Sequence, residues 1–271
     1  MMVEPIRETA SPIVAAQDAR PPIIEISALG KTFTLDSGPV VALESVDLTT
    51  RKGEFISFVG PSGCGKSTLL NMVAGLLSPS QGEATLNGAR IDEPSRQVGF
   101  MFQTAVLLPW RTVEENVLMP AEIFGTKTQA LREKARSVLE AVGLGEFLKA
   151  YPQQLSGGMQ QRVSLARTLT YEPDVLLMDE PFGALDEFTR EAMNLELMRI
   201  TQAAGITVLF ITHNITEAVF MADRVVVMTP RPGKVSGVVD VDLPRPRDIG
   251  QMQEQRFTDL MFKVRGILGH G

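Results

Sequence analysis

The chain has 271 residues, with 26 Lys and Arg against 32 Asp and Glu, two His, a single Cys and a net charge of −6. One cysteine excludes a disulfide framework within the chain, and the acidic balance offers no groove for nucleic acid and no basic surface for a membrane. The longest apolar runs, such as Val225-Val226-Val227-Met228, fall far short of the ~20 residues that cross a bilayer, so any membrane contact goes through partners.

Residues 1–21 carry acidic residues and prolines but no apolar h-region, so they read as a disordered tail rather than a signal peptide. Residues 23–34 and 40–50 alternate like strands of an antiparallel sheet, with Asp36-Ser37-Gly38-Pro39 as the turn between them. Glu54-Phe55-Ile56-Ser57-Phe58-Val59 is a β-rich apolar run, and Leu69-Leu70-Asn71-Met72-Val73-Ala74 is helical and closed by Gly75. Between them stands Gly60-Pro61-Ser62-Gly63-Cys64-Gly65-Lys66-Ser67-Thr68, which matches a P-loop: two glycines with four residues between them, then Lys and a hydroxyl residue. Strand, glycine loop and helix are the arrangement in which successive N–H groups and a helix N-terminus face the β- and γ-phosphates of a nucleotide. Lys66 adds a mobile positive charge, and the Ser67 hydroxyl is placed to ligate Mg²⁺. An ordinary glycine turn does not require this flanking order.

Short strands follow near residues 84–86 and 98–102, and from Val113 to Arg167 the pattern turns helical, with residues 129–142 ending at Gly143. This segment, about 110–170, reads as an inserted helical lobe. Within it Leu155-Ser156-Gly157-Gly158-Met159-Gln160-Gln161-Arg162 forms a second glycine-led anion cradle, with a helix expected to begin at Met159. One nucleotide needs only one cradle. A lobe separate from the P-loop's sheet cannot close on the same ATP, whereas a head-to-tail pair of chains can sandwich each nucleotide between one P-loop and the partner's Ser156 to Gly158.

Val175-Leu176-Leu177-Met178-Asp179-Glu180-Pro181 is an uninterrupted apolar run ending in two carboxylates, as in a strand buried on both faces of a parallel sheet. Ligands bind at the C-terminal edge of such sheets, so Asp179 and Glu180 are expected beside the P-loop. There Asp179 suits the outer coordination of Mg²⁺, and Glu180 can polarise the water that attacks the γ-phosphate. His213 follows another apolar strand, residues 206–212, and emerges at the same edge; a lone histidine is more often satisfied inside a fold. Residues 231–234 and 243–247 are breakers, and 252–268 is a closing helix. The resulting fold class is α/β: a P-loop core with a mostly parallel sheet, an N-terminal antiparallel β subdomain and an inserted helical lobe.

In the order and spacing of these motifs, residues 22 to about 230 resemble the ATP-binding subunit of an ABC transporter. Gly60 to Ser67 resembles the family's Walker A loop, Leu155 to Arg162 its signature motif, Val175 to Glu180 its Walker B strand, and Gly183-Ala184-Leu185-Asp186 its D-loop. Gln103 resembles the Q-loop glutamine that touches Mg²⁺ and reports nucleotide state to the membrane partner, and His213 the switch histidine that contacts the γ-phosphate. The resemblance implies ATP and Mg²⁺ as ligands. Phosphate contacts would come from Gly60, Pro61, Ser62, Gly63, Cys64, Gly65, Lys66, Ser67 and Thr68, with the partner's Ser156, Gly157, Gly158 and Asp186. Mg²⁺ would be held by Ser67, Gln103 and Asp179, and hydrolysis carried by Glu180, His213, Gln103 and Lys66.

Phe33 stands where the family usually has Tyr as an adenine platform; stacking on its ring is worth roughly 1–3 kcal/mol by analogy with base stacking, against the alternative of a packed strand residue. Met159 and Gly183 also depart from the commoner residues, without removing a charge. Cys64, beside a helix N-terminus, is expected to be reactive, so that its alkylation blocks ATP binding, although a small loop filler is the simpler reading.

Leu107 to Val113, with the only tryptophan, Trp110, is either core packing of the lobe or the wall of a groove that accepts a helix of a membrane subunit. The resemblance implies an ABC ATPase domain at residues 22–242, with the helical lobe at about 110–170 inserted and 243–271 as a C-terminal extension. The segment around Trp110, with residues 213–235, is similar to the nitrate, sulfonate and taurine importer group. That implies a homodimer on the cytoplasmic face of the inner or cell membrane, joined to an integral membrane permease and, through it, to a periplasmic or lipid-anchored solute-binding protein. Three alternatives stay open: a soluble ABC ATPase of a cytosolic assembly complex, a non-hydrolysing nucleotide-gated scaffold, and a transporter subunit for another solute class or direction.

Overall fold

The computed structural model describes residues 20–126 and 128–269; of the expected tail, residues 1–19 lie outside them. Two strands open the described chain, β1 (Pro22–Leu35) and β2 (Gly38–Arg51), paired antiparallel as their alternation predicts. Then come β3 (Phe55–Val59), α1 (Lys66–Val73), β4 (Gln81–Leu86), β5 (Ala89–Arg90) and β6 (Val98–Met101). Three helices follow, α2 (Val113–Ile123), α3 (Gln129–Ala141) and α4 (Gly157–Leu169), all between β6 and β7 (Val175–Asp179). The chain continues through α5 (Glu187–Ala204), β8 (Thr207–Ile211), α6 (Ile215–Met221), β9 (Arg224–Met228), β10 (Val235–Asp240) and α7 (Gln255–Gly269).

Among the described residues the strands form two sheets. An antiparallel one runs β2-β1-β4-β5; the other runs β10-β9-β3-β8-β7-β6 and is parallel except for its β10–β9 pair. The central strands are mostly apolar, with Ser57 of β3 and Thr207 of β8 as buried exceptions, because both faces are covered. Their period of two divides the core. Leu176, Met178, Val208, Phe210, Val225 and Val227 join one cluster with the lobe and α7, while Val175, Leu177, Leu209, Ile211, Val226 and Met228 join another with α1 and the antiparallel sheet. Burying each such side chain contributes roughly 1.5–3 kcal/mol, which makes the sheet the rigid platform for the loops at its edge.

Helix starts follow their caps. Thr112 closes a capping box with Glu115 at the head of α2, and Thr128 caps α3 by accepting from Leu131 N–H. The helix of the second glycine cradle begins at Gly157, not at Met159. Ser156 is its cap, its Oγ accepting from Met159 N–H at 3.3 Å, so Gly157 and Gly158 form the first turn. Their low helix propensity masked that turn in the sequence, while the Ser cap was the signal for it. The closing helix starts at Gln255, after a short 3₁₀ turn at Ile249–Gln253, and its Phe257, Leu260 and Val264 are buried in the same cluster as the sheet.

Candidate functional site

The loop from Gly60 to Gly65 leaves the C-terminal end of β3 and enters α1. Gly65 has φ +101°, and a Cβ there would lie 2.8 Å from Leu43; a Cβ on Gly60 would meet the Met228 carbonyl oxygen at 2.9 Å. Both positions therefore need glycine, one for conformation and one for space. Lys66 is almost fully buried, and its ammonium donates to the carbonyls of Gly60 at 2.8 Å and Pro61 at 3.0 Å. An ammonium held by two loop carbonyls beside the cleft is a cation that can turn to a phosphate chain bound there.

A cleft of about 230 Å³ opens over this loop. Of the residues singled out in the sequence it brings together Phe33, Ser62, Gly63, Gly65, Lys66, Ser67, Thr68 and Glu180, and it adds Ala42 and Arg231. Phe33 is half-buried on β1 and lines the cleft, with Lys31 Nζ 5.4 Å from its ring centroid. Arg231 escaped sequence reasoning. It lies just after β9, and its place at the cleft follows only once β9 is known to pair in parallel with β3.

Asp179 and Glu180 end β7 beside the same loop. Burial pushes the Asp179 carboxyl above its ordinary range, and the neighbouring Glu180 adds to this; a hydrogen bond from Ser67 and the charge of Lys66 pull the other way. A desolvated carboxylate touching a hydroxyl is a hard oxygen pair suited to Mg²⁺, which typically takes one or two protein oxygens and completes its shell with phosphates and water. Among the described residues no cluster of three His, Cys, Asp or Glu is present, as that mode of binding requires none.

Glu180 has φ +45°, an uncommon conformation for a residue with a side chain, held by its N–H donating to Ile211 O at 3.0 Å and its carbonyl accepting from Gly183 N–H at 3.1 Å. The result is a carboxylate facing the cleft, with Oε2 3.2 Å from His213 Nδ1. The two residues emerge from the adjacent strands β7 and β8, as expected from the apolar runs before them.

Other singled-out residues lie apart from the cleft. Ser156, Gly157 and Gly158 do not line it, and a Cβ on Gly157 would meet nothing within 4 Å. Gly158 instead packs on the start of α5: a Cβ there would come within 3.0 Å of Thr189 and 3.7 Å of Leu185. Asp186 caps α5, accepting from Thr189 N–H at 3.0 Å and Thr189 Oγ1 at 2.6 Å, contacts that hold its carboxyl below the usual range. The second cradle and the D-loop segment thus form one surface.

Gln103 is exposed, and its carbonyl accepts from Gln161 Nε2 at 2.7 Å. The mostly buried Arg167, also on α4, donates to the carbonyls of Ala105 and Val106, so the turn after β6 is tied to the helix of the second cradle. Trp110 is 71% exposed, which removes core packing as its explanation, and Val106 and Phe102 are exposed near it in the chain. Cys64 corrects an expectation. The residue is 1% exposed, packed in the core below the loop with Lys66 Nζ 3.6 Å from its sulfur, so it is shielded from solvent rather than reactive.

The family model described as ABC transporter matches residues 43–183. The chain is 44% identical to the aliphatic sulfonates import ATP-binding protein SsuB of Bacillus cereus, over 89% of this chain and 94% of that protein. It is 42% identical to the bicarbonate transport ATP-binding protein CmpD of Synechococcus elongatus, over 92% of this chain and 91% of that protein. Among solved structures, the dimeric ATP-binding cassette MJ0796 in a post-hydrolysis state bound to ADP and Pi aligns with a TM-score of 0.73 at 33% identity, covering 82% of this chain and 100% of that one.

Proposed function

This chain belongs to the ABC transporter family of ATP-binding proteins, and on that premise we propose that it is the ATP-hydrolysing motor of an importer for a small anion of the sulfonate, nitrate or bicarbonate kind. The observation that carries the hydrolytic part is the convergence of Lys66, Ser67, Asp179, Glu180 and His213 at one sheet edge. Lys66 and the loop amides hold the β- and γ-phosphates, Phe33 stacks on the adenine, and Arg231 offers a further cation at the cleft mouth. Ser67, with Asp179 in the outer shell, would hold Mg²⁺, and Gln103, which lies outside the cleft in this structure, would join them only if the turn after β6 closes; the ion would neutralise charge on the phosphate oxygens. Glu180 accepts a proton from the water whose oxygen bonds to the γ-phosphorus as the bond to the β-phosphate oxygen breaks and ADP leaves. His213 donates from one ring nitrogen to Glu180 and presents the other side of the ring to the γ-phosphate.

The active unit in this reading is a head-to-tail homodimer. The open space over Gly157, the absence of Ser156 to Gly158 from the cleft, and the dimeric state of the MJ0796 cassette support it. Each nucleotide is then covered by the partner's second cradle, with Asp186 beside it. Among the described residues no helix is long and apolar enough to cross a membrane. In this reading the subunit works with a separate permease at the cytoplasmic face of the membrane, as the import names of its relatives support, engaged at the exposed Phe102, Val106 and Trp110, with a solute-binding protein on the far side. Its domain is taken as residues 22–242, with the lobe at about 110–170 inserted and 243–271 as an extension.

Reconstitution with the permease and binding protein in vesicles tests this. ATP hydrolysis is expected to rise several-fold with one of sulfonate, taurine, nitrate or bicarbonate. Hydrolysis indifferent to all of them, together with stable assembly into a membrane-free complex, would overturn the importer assignment.

A further inference from the structure

The side chain of His213 is 61% exposed, so packing does not hold its ring toward Glu180. Its backbone does, and both flanking residues lead to one carboxylate. The buried Thr212 donates its hydroxyl to Glu217 Oε2 and accepts from Asn214 N–H at 3.0 Å. Asn214 in turn caps α6, its Oδ1 accepting from Glu217 N–H at 3.3 Å. The second oxygen of Glu217 accepts from Asn194 Nδ2, on α5, at 2.9 Å. Glu217 is 7% exposed and Asn194 5%, so the whole link lies under the surface.

We propose that Glu217 is a positioning residue for His213: it fixes the Thr212–Asn214 backbone to α5 and so sets the distance between the imidazole and Glu180. A purely structural role explains the network less well. Its Asn194 Oδ1 has no partner although buried, and a half-satisfied polar link between two helices is a poorer source of stability than apolar packing of similar volume. What the link does supply is direction. Glu217, His213, Glu180 and Thr212 line one small hollow with Arg190, so a shift of the carboxylate is felt at the ring. Because α5 is capped by Asp186 and its first turn touches Gly158, the same link joins the surface proposed to meet the partner chain to the hydrolytic pair.

The inference rests on reading Glu180 and His213 as that pair, and the test separates the two ideas. Glu217→Ala is expected to bind ATP with KM within about threefold of wild type while kcat falls about 10- to 100-fold, as misplacement of a reacting group by ~1 Å would produce. Glu217→Gln keeps the shape and the oxygen that accepts from Thr212, and its amide N–H can donate to Asn194 Oδ1 once that amide turns over, so kcat returns to within about threefold. An independent readout uses the ring resonances of His213, assigned by His213→Gln in a chain with two histidines. Glu180→Gln displaces them in the wild-type background, and the displacement collapses in Glu217→Ala. If Glu217→Ala does not fold, Thr212→Val, nearly isosteric and lacking the hydroxyl, cuts the same link and is read the same way. Loss of thermal stability alone, with kcat and the ring displacement unchanged, overturns the proposal. Should the wild type fail to hydrolyse ATP, the hydrolytic reading falls, and the ring displacement still decides whether Glu217 positions His213.

Discussion

The side-chain amide of Gln161 donates to the main-chain carbonyl of Gln103 at 2.7 Å, joining the turn that follows β6 to the helix that carries the second glycine cradle. Arg167, one and a half turns further along that helix, grips the next carbonyls of the same turn. A displacement of α4 on closing over a partner's nucleotide must therefore move residues 103–106, and with them the exposed apolar side chains that follow. This is the mechanical connection between nucleotide and membrane partner in our account.

Trp110→Ala tests the outer end of that connection. With 71% of the residue exposed, its removal should leave folding and the basal ATPase of the isolated subunit unchanged. If Trp110 anchors the permease, truncation costs about 2 kcal/mol of binding, roughly 30-fold in Kd. Pull-down and affinity measurement with the permease check this; unchanged affinity would assign the permease contact elsewhere.

Gly157→Asp separates folding from dimer function. A Cβ there has open space, and an acidic residue in the first turn of a helix is favourable by about 0.3–1 kcal/mol, so Tm of the nucleotide-free protein should hold or rise. In the dimer that carboxylate would oppose the partner's γ-phosphate, and hydrolysis should fall on the order of 100-fold with ATP-driven dimerisation lost. Size-exclusion chromatography with ATP and a phosphate assay read both. A stable variant that still dimerises and turns over would refute the sandwich.

Asp179→Asn gives a pH signature. Burial raises the folded-state pKa of Asp179 above the ordinary carboxylate range, so ionising it costs more in the fold than in the unfolded chain. That cost is absent below the unfolded pKa and fully present above the folded one. The nucleotide-free variant should then melt about 2 °C above wild type at pH 7, the gap narrowing as pH falls toward about 4. Mg²⁺ should add to ATP stabilisation in wild type only. A variant less stable at pH 7, or a gap that widens in acid, would contradict the assigned environment.

Legibility in the sequence followed how local each determinant is. The P-loop, the β7 strand and its carboxylates are contiguous, so spacing alone located them. Arg231 at the cleft and the Asn194–Glu217–Thr212 link were invisible because they depend on β9 lying beside β3 and α5 beside α6. Cys64 was misjudged for a related reason: its loop position suggested access, while the core below it, with Leu43 and Met228, was not visible along the chain. The start of α4 was missed by two residues because paired glycines read as loop, although Ser156 is an ordinary cap.

The most direct test of the account is phosphate release by Glu180→Gln beside wild type at saturating Mg-ATP. Removing the base should lower turnover about 10²- to 10⁴-fold while ATP still binds and the protein accumulates as a nucleotide-bound dimer. Turnover within about threefold of wild type would show that Glu180 is not the group that takes the proton from water.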